Sequence, residues 1–122
     1  MPEMQTLDRG LMSGLDEPRQ AVVRDEAQWE ELWKAHAPNR PRPRVDFATR
    51  AVIGVFLGSR RTGGYDVTIT AVEPEGDGVT VYYRETRPRP GDMTAQVITS
   101  PFHIVATGPF TGPARFQHDE RR

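Results

Sequence analysis

Few residues in this sequence have side chains suited to catalysis. The chain has three histidines and no cysteine, which excludes cysteine nucleophiles, thiolate zinc sites and disulfides. Ser59 or Ser100 could act as a nucleophile with His103 as its general base, and the protein would then be a small hydrolase. Neither serine lies in a Gly-x-Ser-x-Gly elbow. We therefore expect His103 to be a hydrogen-bonded structural residue of a strand, with the hydrolase as an alternative.

Metal and cofactor sites need residue clusters that the sequence lacks. No His-x-His, His-Glu-x-x-His or Gly-x-Gly-x-x-Gly motif occurs, and His118 stands apart beside Asp119. Asp66 and Glu85 could form a carboxylate pair, but the sequence does not define their separation. The prediction is therefore no metal, no cofactor and no catalytic residue.

The stretch Arg61-Thr62-Gly63-Gly64-Tyr65-Asp66 is the best candidate for recognition. It separates an apolar run, 51–57, from a segment that alternates between apolar and polar residues, 65–72, so it predicts a loop between two strands. Glycine reaches positive φ without steric cost and lets another backbone come close, as a recognition loop requires. An ordinary hairpin turn requires glycine for the same reason, and the residues alone leave both interpretations open.

Length and charge narrow the class of protein. A chain of 122 residues makes one domain, 1–122, with a core of its own. Sixteen Lys and Arg against seventeen Asp and Glu give a formal charge of −1, which makes nucleic-acid binding the poorest candidate function. The N-terminal residues carry no leader pattern and no apolar run approaches about eighteen residues, so the chain as given is expected to be cytoplasmic.

One helix is predicted over residues 26–36. Asp25 is a good N-cap and Gln28 stands three residues later, the spacing of a capping box. Positions i, i+3, i+4 and i+7 then form a stripe that packs on a core, Trp29, Leu32, Trp33 and His36. Pro38 ends the helix, and the alternating Pro and Arg of 37–44 predict an extended connection back to a sheet.

The rest of the chain predicts strands. They are expected near 5–15 at a sheet edge, 21–23, 51–57, 65–72, 79–84, 96–106 with an interruption at Ser100-Pro101, and 114–117. The three from 51 to 84 are predicted to form a meander. The fold class is therefore mainly β, an antiparallel β-sandwich or partly open barrel of about six to eight strands with one packed α-helix.

Alternation of strand direction places the loops 59–65 and 87–94 at one end of the molecule. The turn 74–77 and the loop 108–112 lie at the other end, which carries Glu73, Glu75 and Asp77. The first end has arginines against Asp92 and suits an acidic or carboxylate-bearing partner, with Tyr65 as an aromatic anchor. The predicted partner-binding residues are Arg60, Arg61, Thr62, Gly63, Gly64, Tyr65, Arg87 and Arg89.

Several segments in order along the chain resemble the C-terminal domain of the protease complex subunit PrcB family. They are Ser13-Gly14-Leu15, Glu17-Pro18, 22–25, the Trp29 and Leu32-Trp33 positions, 45–47, 54–58, 62–65 and 99–105. Arg61 stands where proline is expected before Thr-Gly-Gly-Tyr. More loosely, Thr62, Gly64 and Tyr65 resemble the Thr-Thr-Gly-Tyr loop of chagasin-type cysteine peptidase inhibitors, a loop at the end of an immunoglobulin-like sandwich.

The resemblance implies a non-catalytic, peptidase-associated subunit or a peptidase inhibitor, acting through the loops 59–65 and 87–94. Family members are typically exported or lipid-anchored. Strand addition at an exposed sheet edge is a further route to a partner. A small-ligand or oligosaccharide-binding β-domain is the alternative, which a deep aromatic pocket near Tyr82 or Trp29 would indicate.

Overall fold

The structure, a computed structural model, describes residues 4–120. Within them lie seven strands and one helix: β1 (Gln5–Gly10), β2 (Arg19–Val23), α1 (Glu26–His36), β3 (Ala51–Phe56), β4 (Asp66–Glu75), β5 (Gly78–Thr86), β6 (Phe102–Thr107) and β7 (Ala114–His118). The predicted helix has the observed bounds. No helix in this part of the chain has the length and apolar character needed to cross a membrane.

The strands form two sheets that pack face to face. The first has the order β1-β6-β3-β2 and is antiparallel throughout, and the second has the order β4-β5-β7. β4 pairs with β5 antiparallel, whereas β7 joins β5 in parallel. With α1 packed on the outer face of the first sheet, the molecule is a β-sandwich with one helix. The sandwich prediction is confirmed, and the described strands close no barrel.

The first sheet is covered on both faces, so β3 and β6 are buried along their whole length. One core cluster lies between this sheet and α1 and contains Ala21, Val23, Trp29, Leu32, Trp33, Ala37, Val52, Phe56, Phe102 and Ile104. The other lies between the sheets and contains Ile53, Val55, Leu57, Val67, Ile69, Val79, Val81, Tyr83 and Val105. Together they account for the unbroken apolar run at 51–57.

The start of α1 is capped by side chains. Asp25 Oδ1 accepts the Gln28 N–H at 2.8 Å, and Gln28 Oε1 accepts the Arg24 N–H, also at 2.8 Å. The second bond falls one residue earlier than in a standard capping box. The first bond satisfies a donor that the helix start leaves free, and the second occupies the amide just before the N-cap.

The segment that follows α1 is fastened to the helix by two indoles. Trp29 Nε1–H donates to the Pro43 carbonyl at 2.8 Å, and Trp33 Nε1–H donates to the Arg40 carbonyl at 2.9 Å. The proline-rich connection has no regular secondary structure between His36 and Ala51. As predicted, it spans the distance from the helix to the sheet.

Two strand predictions are wrong. β3 pairs with β2 and β6 and not with β4, so the predicted three-strand meander does not form. Residues 96–98 lie outside any strand, because only Thr99 and Ser100 make isolated bridges, to Arg60 and Met12, before β6 begins. Pro101 lacks an amide donor at this position, which separates the bridges from the strand.

Strand directions nevertheless alternate from β3 to β7, and this alternation sets which loops share an end. Three loops lie together and are called the loop end below: 11–18, 57–65 and 87–101. At the opposite end, the Thr111 and Gly112 amides both donate to the Asp77 carbonyl, at 3.2 and 2.9 Å. The predicted grouping of the loops is therefore correct although the predicted strand pairing was not.

Candidate functional site

Backbone hydrogen bonds join the two predicted loops. Arg60 and Thr99 exchange both N–H···O bonds, at 2.7 and 2.9 Å, and the Gly63 N–H donates to the Ala95 carbonyl at 2.9 Å. Gly64 has φ +92°, and a Cβ there would stand 3.0 Å from Pro88. Glycine is thus required both for the turn and for the approach of the second loop.

Two arginines of the loop end pair with one carboxylate, that of Glu85. Arg87 Nε donates to Glu85 Oε2 at 2.5 Å, and Arg60 Nη2 lies 3.9 Å from Glu85 Oε1. The Arg60 guanidinium also lies 5.5 Å from the centroid of the Tyr65 ring. The predicted anchor Tyr65 is therefore half-buried beneath Arg60 and does not project from the loop.

The loop end is less basic than the sequence predicted. Glu85 pairs with two of its arginines, and the loop 11–18 brings Asp16 and Glu17 to the same end. Asp92 Oδ2 accepts the Arg89 N–H at 2.7 Å and partly neutralises the second loop. The prediction counted Asp92 alone, since it did not place β2 and its preceding loop beside β3.

The remaining predicted residues lie on the rim of this end. Arg61, Gly64 and Arg89 are exposed, and Thr62 and Gly63 are half-buried. Thr62 fixes the join between the loops, because its carbonyl accepts the Thr99 hydroxyl at 3.0 Å. All eight predicted partner-binding residues therefore lie on or beside one surface.

An exposed apolar set, which sequence reasoning missed, lies on the same end. Five of the six large hydrophobic residues that are exposed in the described chain belong to the loop end: Leu11, Met12, Met93, Val97 and Ile98. Met12 and Ile98 are 73% and 68% exposed, and the bridge between Met12 and Ser100 holds their two loops together. The sixth, Met4, precedes β1 at the opposite end. The exposed apolar residues of the described chain are thus concentrated at one end.

The predicted hydrolase pair does not assemble. His103 Nδ1 accepts the Ile69 N–H at 2.8 Å, and Nε2 lies 2.8 Å from the Thr6 hydroxyl. Ser59 and Ser100 have hydroxyls 3.4 Å apart, but neither bonds to His103. His103 links the two sheets, which confirms the structural role predicted for it.

A different Ser-His-Asp chain, absent from the predictions, lies beside the end of α1. Ser13 Oγ lies 2.8 Å from His36 Nδ1, and His36 Nε2 lies 2.8 Å from Asp8 Oδ2. Ser13 Oγ accepts the Leu15 N–H at 3.1 Å, so its own proton is directed at His36. Arg40 Nη2 completes the chain at 2.6 Å from Asp8. Asp8 is thus bridged by two donors.

Burial makes this chain structural. The His36 ring is 1% exposed and packs edge-on against Trp33, Phe56 and Phe102. Burial lowers the pKa of His36 against the opposing pull of Asp8, so the ring is neutral, with Nε2–H donating to Asp8. Two cavities adjoin this region, and neither is lined by Ser13 or His36.

One signal in the sequence could have revealed this network. His36 completes an otherwise apolar helical stripe, and a buried imidazole needs partners for both nitrogens. Its partners come from β1 and the loop 11–18, and no sequence spacing connects those segments to the helix.

Replacing Ser13 with alanine is expected to lower the free energy of unfolding by about 1–3 kcal/mol. The substitution leaves the buried His36 Nδ1 without a partner, and an unsatisfied buried acceptor costs about this much. Urea denaturation at neutral pH measures the change. Ser59→Ala, an exposed serine at the same end, is the matched control, and an equal loss in both variants would contradict the role given to Ser13.

An aromatic pocket near Tyr82 or Trp29 would have indicated the ligand-binding alternative, and Trp29 is fully buried. A cavity of about 580 Å³ lies instead at the opposite end, between the turn at Gly76 and Phe110. No group of three or more acidic or histidine side chains that could hold a metal occurs between residues 4 and 120.

Comparison with known proteins gives one match. Residues 51–107 match the family model described as PrcB C-terminal, which covers β3 to β6 and both loops of the predicted site. A search of curated proteins and a search of solved structures each found no match. The match confirms, for residues 51–107, the resemblance to the PrcB C-terminal domain that was predicted from the sequence.

Proposed function

We propose that this protein is a non-catalytic subunit that binds a peptidase through the loop end. The observation that carries the proposal is the exposed apolar set beside the arginines of the two joined loops. An apolar centre with a polar, arginine-bearing rim is the usual anatomy of a protein-protein interface. The family assignment supports a peptidase, or a complex containing one, as the partner.

A subunit role fits the loop geometry better than active-site inhibition. An inhibitor of the chagasin type inserts its loops into the peptidase cleft. Here the Thr62-Gly63-Gly64-Tyr65 loop is bonded to Ala95 and its tyrosine lies under Arg60. The exposed apolar side chains of the end lie outside this loop, in the segments 11–12 and 93–98, which suits docking against a partner surface.

Replacing Ile98 with aspartate is expected to weaken binding to the partner peptidase about tenfold or more. Burial of an isoleucine side chain stabilises an interface by about 1.5–3 kcal/mol, and each 1.4 kcal/mol is a factor of about ten in Kd. The measurement is biolayer interferometry against a peptidase that co-purifies with the wild-type protein, with peptidase activity recorded in parallel. Ile98 is exposed and outside the strands, so the fold is retained.

Met4→Asp is the control, because Met4 is an exposed apolar residue at the opposite end. Tyr65→Ala tests whether the ring beneath Arg60 contributes as well. Equal binding by wild type and Ile98→Asp would remove the loop end as the interface. Loss of peptidase activity on binding would favour the inhibitor over the subunit.

A further inference from the structure

β2 has one free side. It is the outer strand of the first sheet and pairs only with β3. The Leu57 N–H, directly after β3, donates to the Pro101 carbonyl at 3.0 Å. In β3 the odd-numbered residues therefore direct their backbone N–H and C=O groups toward β6, and the even-numbered residues direct theirs toward β2. Phe56 therefore bonds to its partner Arg19, and every second residue of β2 after Arg19 also faces β3.

The backbone groups of Gln20 and Val22 accordingly point away from the sheet. In the described chain nothing bonds to them from that side. The next outward amide, that of Arg24, is already taken by Gln28 Oε1 at 2.8 Å. The free side of β2 thus offers two N–H donors and two C=O acceptors in strand geometry.

The opposite side of the sandwich is closed by side chains. His103 Nδ1 accepts the Ile69 N–H of β4 at 2.8 Å, and Arg9 of β1 reaches Asp66 and Thr68 of β4 at 2.9 and 2.5 Å. Natural sheets protect their edges in such ways. On the β2 side the corresponding link comes from Arg24, directly after the strand, which donates to the Thr111 and Gly112 carbonyls at 3.0 and 2.6 Å. The strand residues themselves include neither lysine nor proline.

Cavities lie on both faces of β2. One, of about 340 Å³, is bounded by the strand and by Gln28, Glu31 and Leu32 of α1. The other, of about 310 Å³, is bounded by Val55, Leu57, Tyr83 and Glu85 together with Pro18, Arg19, Gln20, Phe56 and Arg60. A strand added beside β2 would place its side chains alternately in the two. In the first cavity Glu31 has no ion-pair partner among residues 4–120. The second cavity is lined by the largely buried Leu57 and Tyr83 together with the charged Arg19, Arg60 and Glu85.

We propose that β2 accepts an extended segment of a partner protein as an additional strand, with basic side chains toward Glu31 and apolar side chains toward Tyr83. Backbone bonds to Gln20 and Val22 supply affinity, and the two cavities select the alternating pattern. The free backbone of β2 lies outside the loop end, which the second cavity adjoins at Pro18, Leu57 and Arg60, so this proposal does not depend on the one above.

The test uses a blocked synthetic peptide of about seven residues that alternates lysine and valine, labelled for fluorescence anisotropy. We expect saturable binding to the wild type with Kd below about 1 mM. Gln20→Pro removes one outward donor without touching the bonds to β3, and proline is tolerated at such an edge position. It should weaken binding about tenfold, while Gln20→Ser, which keeps the donor, binds as the wild type does.

A second arm leaves the protein unchanged and methylates alternate amide nitrogens of the peptide. The methylated peptide should lose binding in the register that pairs with β2, and a peptide with glutamate for lysine should bind more weakly. Three outcomes would overturn the proposal: no binding by the wild type, equal binding of methylated and plain peptides, or self-association in analytical ultracentrifugation that Gln20→Pro abolishes. The last would identify a second copy of this chain as the occupant.

Discussion

Replacing Trp29 with alanine is expected to lower the free energy of unfolding by about 4 kcal/mol. The side chain is fully buried between α1 and the first sheet, and its ring meets that of Trp33 edge-on at 5.5 Å. Its removal opens a cavity and also leaves the Pro43 carbonyl without the indole donor at 2.8 Å. Both losses act on the same side of the molecule, where α1 and the connection after it are held.

Urea denaturation followed by circular dichroism measures this change. Domains of this size have about 5–15 kcal/mol of stability in total, so the variant should unfold at a much lower urea concentration. Glu30→Ala changes the adjacent, exposed residue of the same helix and should stay within about 0.5 kcal/mol of the wild type. A loss of less than about 1 kcal/mol in Trp29→Ala would show that the helix does not depend on this contact.

Local patterns in the sequence predicted the elements well because each element has its own periodicity. The stripe from Trp29 to His36 and the cap at Asp25 define α1 without reference to the rest of the chain.

The alternation in β4 predicts that Ala71 faces the core. In the structure a bulge between Ile69 and Ala71 shifts the register, and Val72 packs on the core cluster instead.

Sheet pairing could not be predicted from the same patterns. An apolar run such as 51–57 shows that a strand is covered on both faces, but it does not name its neighbours. β6 inserts between β1 and β3, and β7 adds to β5 in parallel. These pairings join distant parts of the chain, for which no local signal exists.

Only part of the candidate site could be predicted, because the rest depends on contacts between distant parts of the chain. The two glycine- and arginine-bearing loops meet because strand directions alternate, which the sequence supports. Val97 and Ile98 lie in the predicted strand 96–106, yet both are exposed at the loop end. Their exposure depends on where strand pairing stops, at Thr99 and Ser100, and this is a tertiary property.

His103 makes the stability of this fold sensitive to acid. It is buried between the sheets, with Nδ1 accepting the Ile69 N–H, so the neutral ring is the form that fits. Burial is the main cause that lowers its pKa from 6.5 to about 4, and the Arg9 cation adds to it while Asp66 opposes it. The unfolded chain, with the ordinary pKa, takes up a proton on acidification before the folded protein does.

Acidification from pH 6.5 to pH 4 is therefore expected to remove about 3 kcal/mol of stability through His103 alone. The contribution is complete above pH 6.5, because both states are then neutral, and it falls as the pH drops toward the folded pKa of about 4. His103→Asn keeps an acceptor for the Ile69 amide but cannot be protonated. Its free energy of unfolding, measured by urea denaturation at each pH, should therefore fall by about 3 kcal/mol less than that of the wild type over this range. His118→Asn, at an exposed histidine, should retain the full acid sensitivity. Parallel pH profiles for wild type and His103→Asn would mean that the buried ring does not control the acid response.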